Sequence, residues 1–202
     1  MQLLWRFSGS SEWELVSQSK GAKVYVLKSP GSDLRQVKGV VRVKSTLSAA
    51  VAWMQDANAC KKLGCFENRV ERVDAQMEYE HFRFKMIKPF QPRDFILRAD
   101  FHQLPSTKEV LVEYVAAPER SPLNDCCVRV TRMNNTWRFT PVGNGELEAE
   151  YTMNMDWGGF IPNPLQNLAQ PKYMQRQLLK MQSTLDPYQT AKVDFIEEPA
   201  VQ

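Results

Sequence analysis

The chain lacks any apolar segment long enough to cross a bilayer. Its longest uninterrupted apolar runs span only a few residues, whereas a membrane-spanning helix needs about 20. The opening segment, Met1-Gln-Leu-Leu-Trp5, is too short for the apolar core of a signal peptide. We therefore expect a cytoplasmic protein, with a periplasmic location as the alternative if a leader was removed before Met1.

The chain also lacks the charge excess of a nucleic-acid-binding protein. Lys and Arg number 26 against 23 acidic residues, which gives a net charge of +3 without a long basic run. The two histidines, His81 and His102, stand apart, and neither has a cysteine at zinc-ligand spacing. We expect no nucleic-acid partner, no metal and no cofactor.

Cysteine is scarce, with four residues in 202: Cys60, Cys65, Cys126 and Cys127. Free cysteine packs like a small apolar side chain. We expect all four to be reduced structural thiols, although the sequence does not fix their redox state.

Recognisable catalytic motifs are missing as well. The sequence contains no Gly-x-Ser-x-Gly elbow, no Walker loop and no His-Glu-x-x-His pair. Its tyrosines, including Tyr114 and Tyr151, are not paired with a base by any sequence pattern. We therefore expect no catalytic residues.

The first third of the chain predicts a mixture of short elements. Ser10-Ser11-Glu12 is typical of an N-cap and predicts a short helix that ends at Gln18. Alternation predicts a hairpin of two strands, Lys23–Lys28 and Leu34–Lys44. Ser45 or Thr46 then caps a helix through Met54, and a second short helix or turn covers Asp56–Gly64.

From Phe66 onward the pattern is almost entirely that of strands. The predicted strands are Glu67–Val73, Met77–Ile87, Asp94–Gln103, Glu109–Ala117, Cys126–Thr140 and Leu147–Asp156. Their hairpin spacing predicts an antiparallel meander, because parallel pairs need crossovers of about a dozen residues or more.

A long amphipathic helix, Pro162–Leu185, follows the last strand. Its predicted apolar stripe consists of Leu165, Leu168, Met174, Leu178, Met181 and Leu185. A curved antiparallel sheet with one such helix lying across it is an α+β helix-grip fold. We expect one domain over residues 5–185, and a loosely packed C-terminal tail over residues 186–202.

Two motifs carry a family resemblance. The segment Asp156-Trp-Gly-Gly-Phe-Ile-Pro-Asn-Pro-Leu-Gln-Asn167 follows Arg93-Asp94-Phe95 by some sixty residues. Together they resemble the START family of lipid-transfer domains, in its bacterial-type stand-alone form, over about Trp13 to Leu185. The resemblance implies the helix-grip fold, an internal hydrophobic cavity and a monomer that binds a lipid or lipid-like molecule without catalysis.

The resemblance also implies a gate and a possible membrane contact. In the family, the C-terminal helix and a loop between central strands, here Leu104–Lys108, move to admit ligand; we expect a hinge at Gly158-Gly159. Lys172, Arg176 and Lys180 recur every fourth residue on the helix and could rest on anionic head groups. The alternative for this row is an ordinary solvated helix face.

The cavity candidates come from alternation on the strands and from the resemblance. They are Glu80, Phe82, Phe84, Phe95, Leu97, Ala99, Arg129, Trp137, Tyr151, Met153, Met155 and Leu178. In sterol-binding members an acid–arginine pair lines the pocket. Glu80 matches the acid, but the usual arginine position falls on Ala99. Arg129 matches another family arginine, and we expect it to contact Glu80 inside the cavity.

Other interpretations of these charged residues stay open. Glu78 and Glu80 could both lie in water at the open end of their strand, since an unpaired buried charge is costly. Arg93 and Asp94 are expected to fix a turn.

The leading functional hypothesis is a non-enzymatic carrier that holds one hydrophobic molecule and moves it between membranes or to a partner. The alternatives are a helix-grip enzyme of cyclase or hydrolase type, and a ligand-sensing module.

Overall fold

The computed structural model describes residues 12–28 and 31–200, without the side chains of residues 62 and 63. Within these ranges the chain forms one curved sheet of ten strands. The strands are β1 (Glu14–Ser19), β2 (Ala22–Lys28), β3 (Arg35–Lys44), β4 (Cys65–Arg72), β5 (Met77–Phe84), β6 (Arg93–Gln103), β7 (Val110–Ala116), β8 (Val128–Arg129), β9 (Arg132–Gly143) and β10 (Glu146–Asp156).

The sheet order is β1-β2-β3-β10-β9-β7-β6-β5-β4, and all these neighbours are antiparallel. The short strand β8 lies off this path and pairs in parallel with β6. The N-terminal hairpin thus joins the sheet through β10, the last strand in sequence. The predicted antiparallel meander and the helix-grip fold are confirmed.

In the described part of the chain, three α-helices accompany the sheet: α1 (Leu47–Met54), α2 (Ala57–Leu63) and α3 (Asn163–Thr184). Thr46 caps α1 by accepting a hydrogen bond from the Ala49 amide at 3.1 Å. Asp56 caps α2 in the same way through the Asn58 amide at 2.8 Å. Gly64 ends α2 in the left-handed region, with φ +105°. Both predicted helices are therefore confirmed.

Helix α3 packs closely on the sheet at Gly39 of β3. A Cβ atom on Gly39 would lie 2.6 Å from Leu178 Cδ1 and 2.8 Å from Met174 Cγ. These two side chains and Met181 are fully buried. The missing side chain at Gly39 is what lets the helix approach the strand.

The predicted apolar stripe of α3 is wrong in its first half. Leu165 and Leu168 are 40% and 62% exposed, while Gln166 and Gln170 are buried. The side-chain amide of Gln166 donates from Nε2 to the Ile161 carbonyl at 3.1 Å, and the side-chain amide of Gln170 donates from Nε2 to the Met155 carbonyl at 3.0 Å. The backbone leading into the helix needs these partners, so polar side chains occupy the inner face.

The predicted N-terminal helix is also wrong. Residues Glu14–Ser19 form the edge strand β1, which pairs with β2. Ser10 and Ser11, the proposed cap, lie outside the described residues. Strand pairing supplies the backbone hydrogen bonds that an isolated short helix would leave marginal.

The predicted strand Cys126–Thr140 is divided into β8 and β9. Strand β8 pairs with β6, whereas β9 leaves that position and runs between β7 and β10. One continuous alternating segment therefore serves two different parts of the sheet.

The segment after α3 is not loosely packed. Tyr188, Val193, Phe195 and Ile196 pack against the core. The Glu198 carboxylate accepts hydrogen bonds from the amides of Leu47 and Ser48 at 2.9 and 2.7 Å, at the start of α1. These amides have no partner within the helix, and a carboxylate there also favours the helix dipole.

The expectation of four reduced thiols is wrong as well. The structure joins Cys60 to Cys65 and Cys126 to Cys127 as disulfides. The turn at Gly64 brings Cys65 back to α2, which places the Cα atoms of Cys60 and Cys65 5.6 Å apart.

Among residues 12–28 and 31–200, no helix combines the length and the apolar character needed to span a membrane.

Candidate ligand-binding cavity

A cavity of about 120 Å³ lies between the α1–α2 segment, the strands β4 to β7, the strands β9 and β10, and helix α3. Its apolar and aromatic lining includes Trp53, Met54, Phe82, Phe84, Leu97, Met133 and Trp137. Its polar lining includes Asp56, Asn68, Arg69, Glu80, His81, Tyr114, Tyr151, Tyr173 and Gln177. The predicted cavity beneath α3 is therefore present.

The structure divides the predicted site residues into three groups. Six line the cavity: Glu80, Phe82, Phe84, Leu97, Trp137 and Tyr151. Phe95, Ala99, Met153, Met155 and Leu178 are instead buried in the packed core. Arg129 lies elsewhere, as described below. The role of any of these residues as ligand contacts stays a prediction.

Stacked aromatic side chains form the walls. Trp137 and Tyr151 face each other on β9 and β10 with ring centroids 4.4 Å apart. Trp53 of α1 meets Trp137 edge to face at 6.4 Å. On the other side Phe82 stacks on Phe95, its cross-strand partner on β6, with ring centroids 4.9 Å apart. Such contacts hold the rings in place and give the cavity a largely apolar surface.

Glu80 carries a carboxyl group into this surface. Alternation on β5 places it on the same face as Phe82 and Phe84. Its Oε1 atom is inaccessible to solvent and lacks a hydrogen-bond partner among the described residues. Burial, followed by the nearby charge of Glu78, raises the pKa of Glu80 to about 8, although a hydrogen bond with Tyr114 opposes the shift. Glu80 is therefore mainly uncharged at neutral pH.

Glu78 shares this face and is only 1% exposed. Burial raises the pKa of Glu78, and the nearby Arg72 guanidinium opposes the shift, with Nε 3.3 Å from Glu78 Oε2. The interpretation that both glutamates lie in water at the end of the strand is therefore wrong.

The hydroxyl of Tyr151 is fixed by a buried amide. Asn135, fully buried on β9, donates from Nδ2 to the Tyr151 hydroxyl at 2.8 Å. Its Oδ1 atom accepts a hydrogen bond from the backbone N–H of Asn154 at 2.9 Å. Burial raises the pKa of Tyr114 and Tyr151, and raises that of Tyr173 to about 12. The cavity thus presents neutral hydroxyl groups at physiological pH.

The expected contact between Glu80 and Arg129 is absent. Arg129 instead pairs with Asp94, with Nε 2.7 Å from Oδ2. Its other nitrogens donate to the carbonyls of Pro118, Ser121 and Pro122 at 2.8 to 3.0 Å. Asp94 alternates with Phe95 on β6, so this pair lies on the face of the sheet away from the cavity.

The Asp94 carboxylate is the centre of a larger network on that face. His81 Nε2 lies 2.6 Å from Oδ1, Arg83 Nε lies 3.1 Å from the same oxygen, and Asn124 Nδ2 donates to Oδ2 at 2.9 Å. Burial alone would raise the pKa of Asp94, but the hydrogen bonds from His81, Arg129 and Arg83 outweigh it and lower the pKa. The network fastens the segment between β7 and β8 to the sheet.

Arg93 fixes a turn, as predicted. Its guanidinium, only 1% exposed, donates to the Trp157 carbonyl at 2.7 Å and to the Gly158 carbonyl at 2.9 Å. Gly158 and Gly159 adopt φ angles of +67° and +63°, which favour glycine. The two sequence motifs therefore meet in space, where one fastens the chain reversal formed by the other.

Sequence reasoning missed several lining residues, among them Tyr114 and the α3 pair Tyr173 and Gln177. The i, i+4 spacing of Tyr173 and Gln177 places them on one helix face and could have indicated them. Val110, Val112 and Tyr114 follow one another at every second position of β7 and are all buried. This alternation is the signal for an inward side chain at Tyr114.

Comparison of the sequence with known proteins finds few relatives. No family model matches the sequence. An uncharacterized protein of Pseudomonas aeruginosa is 24% identical over 160 residues, which cover 78% of this chain and 79% of that protein.

Solved structures are more informative. A fragment of a STAR-related lipid transfer protein from Xanthomonas axonopodis is similar with a TM-score of 0.81 and 26% identity, covering 86% of this chain and 98% of that one. Human StAR-related lipid transfer protein 5 has a TM-score of 0.74 and 13% identity, covering 90% and 89%. The Zhui aromatase/cyclase from a Streptomyces species is more distant, with a TM-score of 0.53 and 11% identity, covering 75% and 93%.

The fold and the cavity together define a helix-grip domain. Its strongest structural likenesses described above are to START-type lipid transfer domains, including one from a bacterium, so the resemblance indicated by the motifs is confirmed.

Proposed function

We propose that this protein binds one hydrophobic molecule in the cavity and carries it between membranes or to a partner, without chemical change. The observation that supports this most is the largely apolar and aromatic lining, interrupted by polar groups, which is typical of small-molecule sites. The likeness to a STAR-related lipid transfer protein over most of both chains points the same way.

An enzyme of cyclase type is the second candidate, and one observation favours it. A carboxyl group whose pKa is raised to about 8 in a cavity is suited to act as a general acid. The nearby His81, however, is engaged with Asp94 on the other face of the sheet. Binding without turnover accounts for the arrangement with fewer assumptions.

Ligand entry requires movement of a wall in this proposal. The cavity, at about 120 Å³, is smaller than the ~300–1,000 Å³ that is usual for drug-sized ligands. Helix α3 is the proposed moving wall, because it covers the cavity with Tyr173 and Gln177 and follows a glycine turn. The Arg93 guanidinium holds that turn by its carbonyls, so the turn is a fixed pivot about which the helix tilts.

The predicted role of the Leu104–Lys108 loop in the gate stays a prediction. In the described part of the chain, this loop contributes no residue to the cavity lining. It instead contacts the C-terminal segment, where Lys108 forms an ion pair with Glu197 and Gln103 donates to the Glu197 carbonyl.

Delivery to a bilayer would use the exposed face of α3. Phe160 and Leu168 are 101% and 62% exposed near the start of the helix. Lys172, Arg176 and Lys180 continue along the helix and are also exposed. Apolar side chains beside a basic row match an interface of acyl chains and anionic head groups.

The test is to identify what the purified protein holds and to block the cavity. Native mass spectrometry of the protein from its producing cells should reveal one bound hydrophobic molecule per chain. Leu97→Trp, which fills the cavity, should abolish this adduct and the transfer of a fluorescent lipid between vesicles. Leu111→Trp is the matched control, because Leu111 lies on the neighbouring strand β7 and on the face of the sheet away from the cavity.

A folded Leu97→Trp protein that still carries ligand and transfers lipid would contradict the proposal. Conversion of the bound molecule into a product would favour the enzyme.

A further inference from the structure

Two adjacent cysteines lie at the surface of the segment between β7 and β8. Cys126 and Cys127 are joined as a disulfide and come directly before β8. Cys126 is exposed and Cys127 is half-buried. In the other disulfide, Cys65 is only 6% exposed and Cys60 is half-buried. Thiol–disulfide exchange requires access of a thiolate to a sulfur atom, and exposed disulfides are the labile ones. The Cys126–Cys127 bond is therefore the better placed of the two to react.

The chain on both sides of this pair is anchored to the rest of the domain. On the N-terminal side, Asn124 donates from Nδ2 to Asp94 Oδ2 at 2.9 Å, and its Oδ1 atom accepts from the backbone N–H of Cys126 at 3.2 Å. On the C-terminal side, the backbone N–H of Val128 donates to the Pro92 carbonyl at 2.9 Å. The pair therefore connects two fixed points of the chain.

Strand β8 in turn supports the glycine turn that leads into α3. A Cβ atom on Gly159 would lie 3.3 Å from both methyl carbons of Val128, and one on Gly158 would lie 3.7 Å from the Arg129 carbonyl oxygen. The backbone of the turn thus lies directly against the two residues that follow the disulfide. A shift of the chain where it enters β8 would move the surface on which the turn packs.

We propose that Cys126–Cys127 is a redox-modification site whose chemical partner is a dithiol, and that its oxidation state sets how readily the Gly158–Gly159 turn opens. In the oxidised form, the disulfide closes a small ring that contains the peptide bond between the two cysteines and restricts the backbone dihedrals of both. Reduction opens this ring and returns conformational freedom to the chain beside Val128, and the folded state must then fix that chain at an entropic cost. The turn that packs on β8 is therefore held less firmly in the reduced protein.

Reduction proceeds by two successive thiol–disulfide exchanges. A thiolate of the dithiol attacks the exposed Cys126 sulfur, which breaks the bond to Cys127 and forms a mixed disulfide. The other thiolate of the dithiol then attacks the dithiol's own sulfur in the mixed disulfide and releases Cys126. The dithiol is oxidised to a disulfide and gives an electron pair to the cysteines, and its thiol protons end on the Cys126 and Cys127 sulfur atoms.

A titration with dithiothreitol tests the reactivity of the pair in the whole protein. New thiols are blocked with iodoacetamide and located by peptide mapping. Cys126 and Cys127 should become blocked at a dithiothreitol concentration at least about tenfold lower than Cys60 and Cys65. Simultaneous or earlier reduction of the Cys60–Cys65 bond would overturn the assignment of the reactive site.

Hydrogen exchange measures the effect on the turn. The backbone N–H of Trp157 donates to Gln166 Oε1 at 3.0 Å and that of Gly158 donates to Asp156 Oδ1 at 2.9 Å, so these amides exchange when the turn opens. After selective reduction of the pair they should exchange at least about threefold faster than in the oxidised protein. The amides of β2, which lies far from β6 and β8 in the sheet order, should be unchanged.

The double variant Cys126→Ser/Cys127→Ser is the matched control, because it keeps the Cys60–Cys65 bond and cannot form the ring. Its turn amides should exchange as fast as those of the reduced wild type and should not respond to dithiothreitol. An equal response to dithiothreitol in this variant, or equal exchange in the oxidised and reduced wild type, would overturn the proposal. If the variant fails to fold, the comparison of oxidised and reduced wild type still decides. These measurements use no ligand, so their outcome is independent of the proposed carrier function.

Discussion

The Asp94 carboxylate and the Arg129 guanidinium form a buried ion pair, in which Oδ2 and Nε are 2.7 Å apart. Both residues come from positions that the sequence associates with the START resemblance, yet they act on the face of the sheet away from the cavity. Their partners show what they do: Arg129 gathers three carbonyls of the segment between β7 and β8, and Asp94 fastens it to β6.

Breaking this pair should destabilise the fold. Asp94→Ala leaves the Arg129 guanidinium buried without a counter-charge, and we expect a loss of about 3–5 kcal/mol in the free energy of unfolding. Urea denaturation measures it. Arg98→Ala, which breaks the half-exposed pair with Asp100 on the same strand, is the control and should cost much less. Equal losses in the two variants would show that the buried pair has no special role.

The pH dependence of the pair follows from the lowered pKa of Asp94. The folded state holds the carboxylate charged to lower pH than the unfolded state does. The stability from this group is therefore fully present above the unfolded pKa, about 3.9, and is lost as pH falls through the folded pKa. Asp94→Asn should remove this acid-labile part of the stability.

Glu80 should have the opposite pH dependence. Its pKa rises from 4.5 to about 8 on folding, so the folded protein keeps a proton that the unfolded chain releases between these values. The free energy of unfolding should fall by about 3–5 kcal/mol as the pH rises through this window. Glu80→Gln should flatten the curve from urea titrations at several pH values, and Glu113→Gln, an exposed residue on β7, should leave it unchanged. An equally steep curve in Glu80→Gln would contradict the buried, neutral carboxyl.

The contact between Gly39 and α3 predicts a non-additive pair of substitutions. Gly39→Ala should cost about 1–3 kcal/mol by overpacking, because its Cβ would meet Leu178 Cδ1 at 2.6 Å. Leu178→Ala alone should cost about 2–5 kcal/mol. The double variant should cost less than the sum, because each change relieves the other. Additive costs in a double-mutant cycle would show that the helix shifts away instead.

Local patterns predicted most of the fold. Alternation, cap residues and turn glycines are local signals, and they placed the hairpin, both short helices and the final helix close to their observed bounds. The buried glutamines of α3 were missed because their partners, such as the Met155 carbonyl, belong to the preceding strand and turn.

The site was only half predictable for a similar reason. Alternation correctly directed Glu80 and Phe82 inward, because β5 is one continuous strand. The position of Arg129 was predicted wrongly because strand β8 ends at this residue. No local pattern shows which neighbouring strand a two-residue strand will pair with.

The C-terminal segment should be part of the folding unit. Ending the chain after Leu185, the predicted domain boundary, removes four apolar side chains from the core and the Glu198 cap of α1. We expect the free energy of unfolding to fall by more than about 2 kcal/mol. Glu198→Ala alone should cost about 0.5–2 kcal/mol, as for other helix caps. Unchanged stability of the shortened protein would support the boundary at residue 185.

The exposed start of α3 should govern binding to membranes. The double change Phe160→Ser and Leu168→Asn removes apolar area that would enter the bilayer, where each Å² contributes about 25 cal/mol. Sedimentation with vesicles containing anionic phosphatidylglycerol should show at least about a tenfold loss of binding. Val73→Asn, which replaces a half-exposed apolar residue after β4, is the control. Replacing Lys172, Arg176 and Lys180 by Gln should weaken binding to anionic vesicles and leave binding to neutral ones unchanged, since each cation contributes about 1 kcal/mol only near a charged surface. Equal binding by the wild type and the double variant would show that α3 is not the membrane contact, and ligand transfer would then have to proceed through another face of the domain.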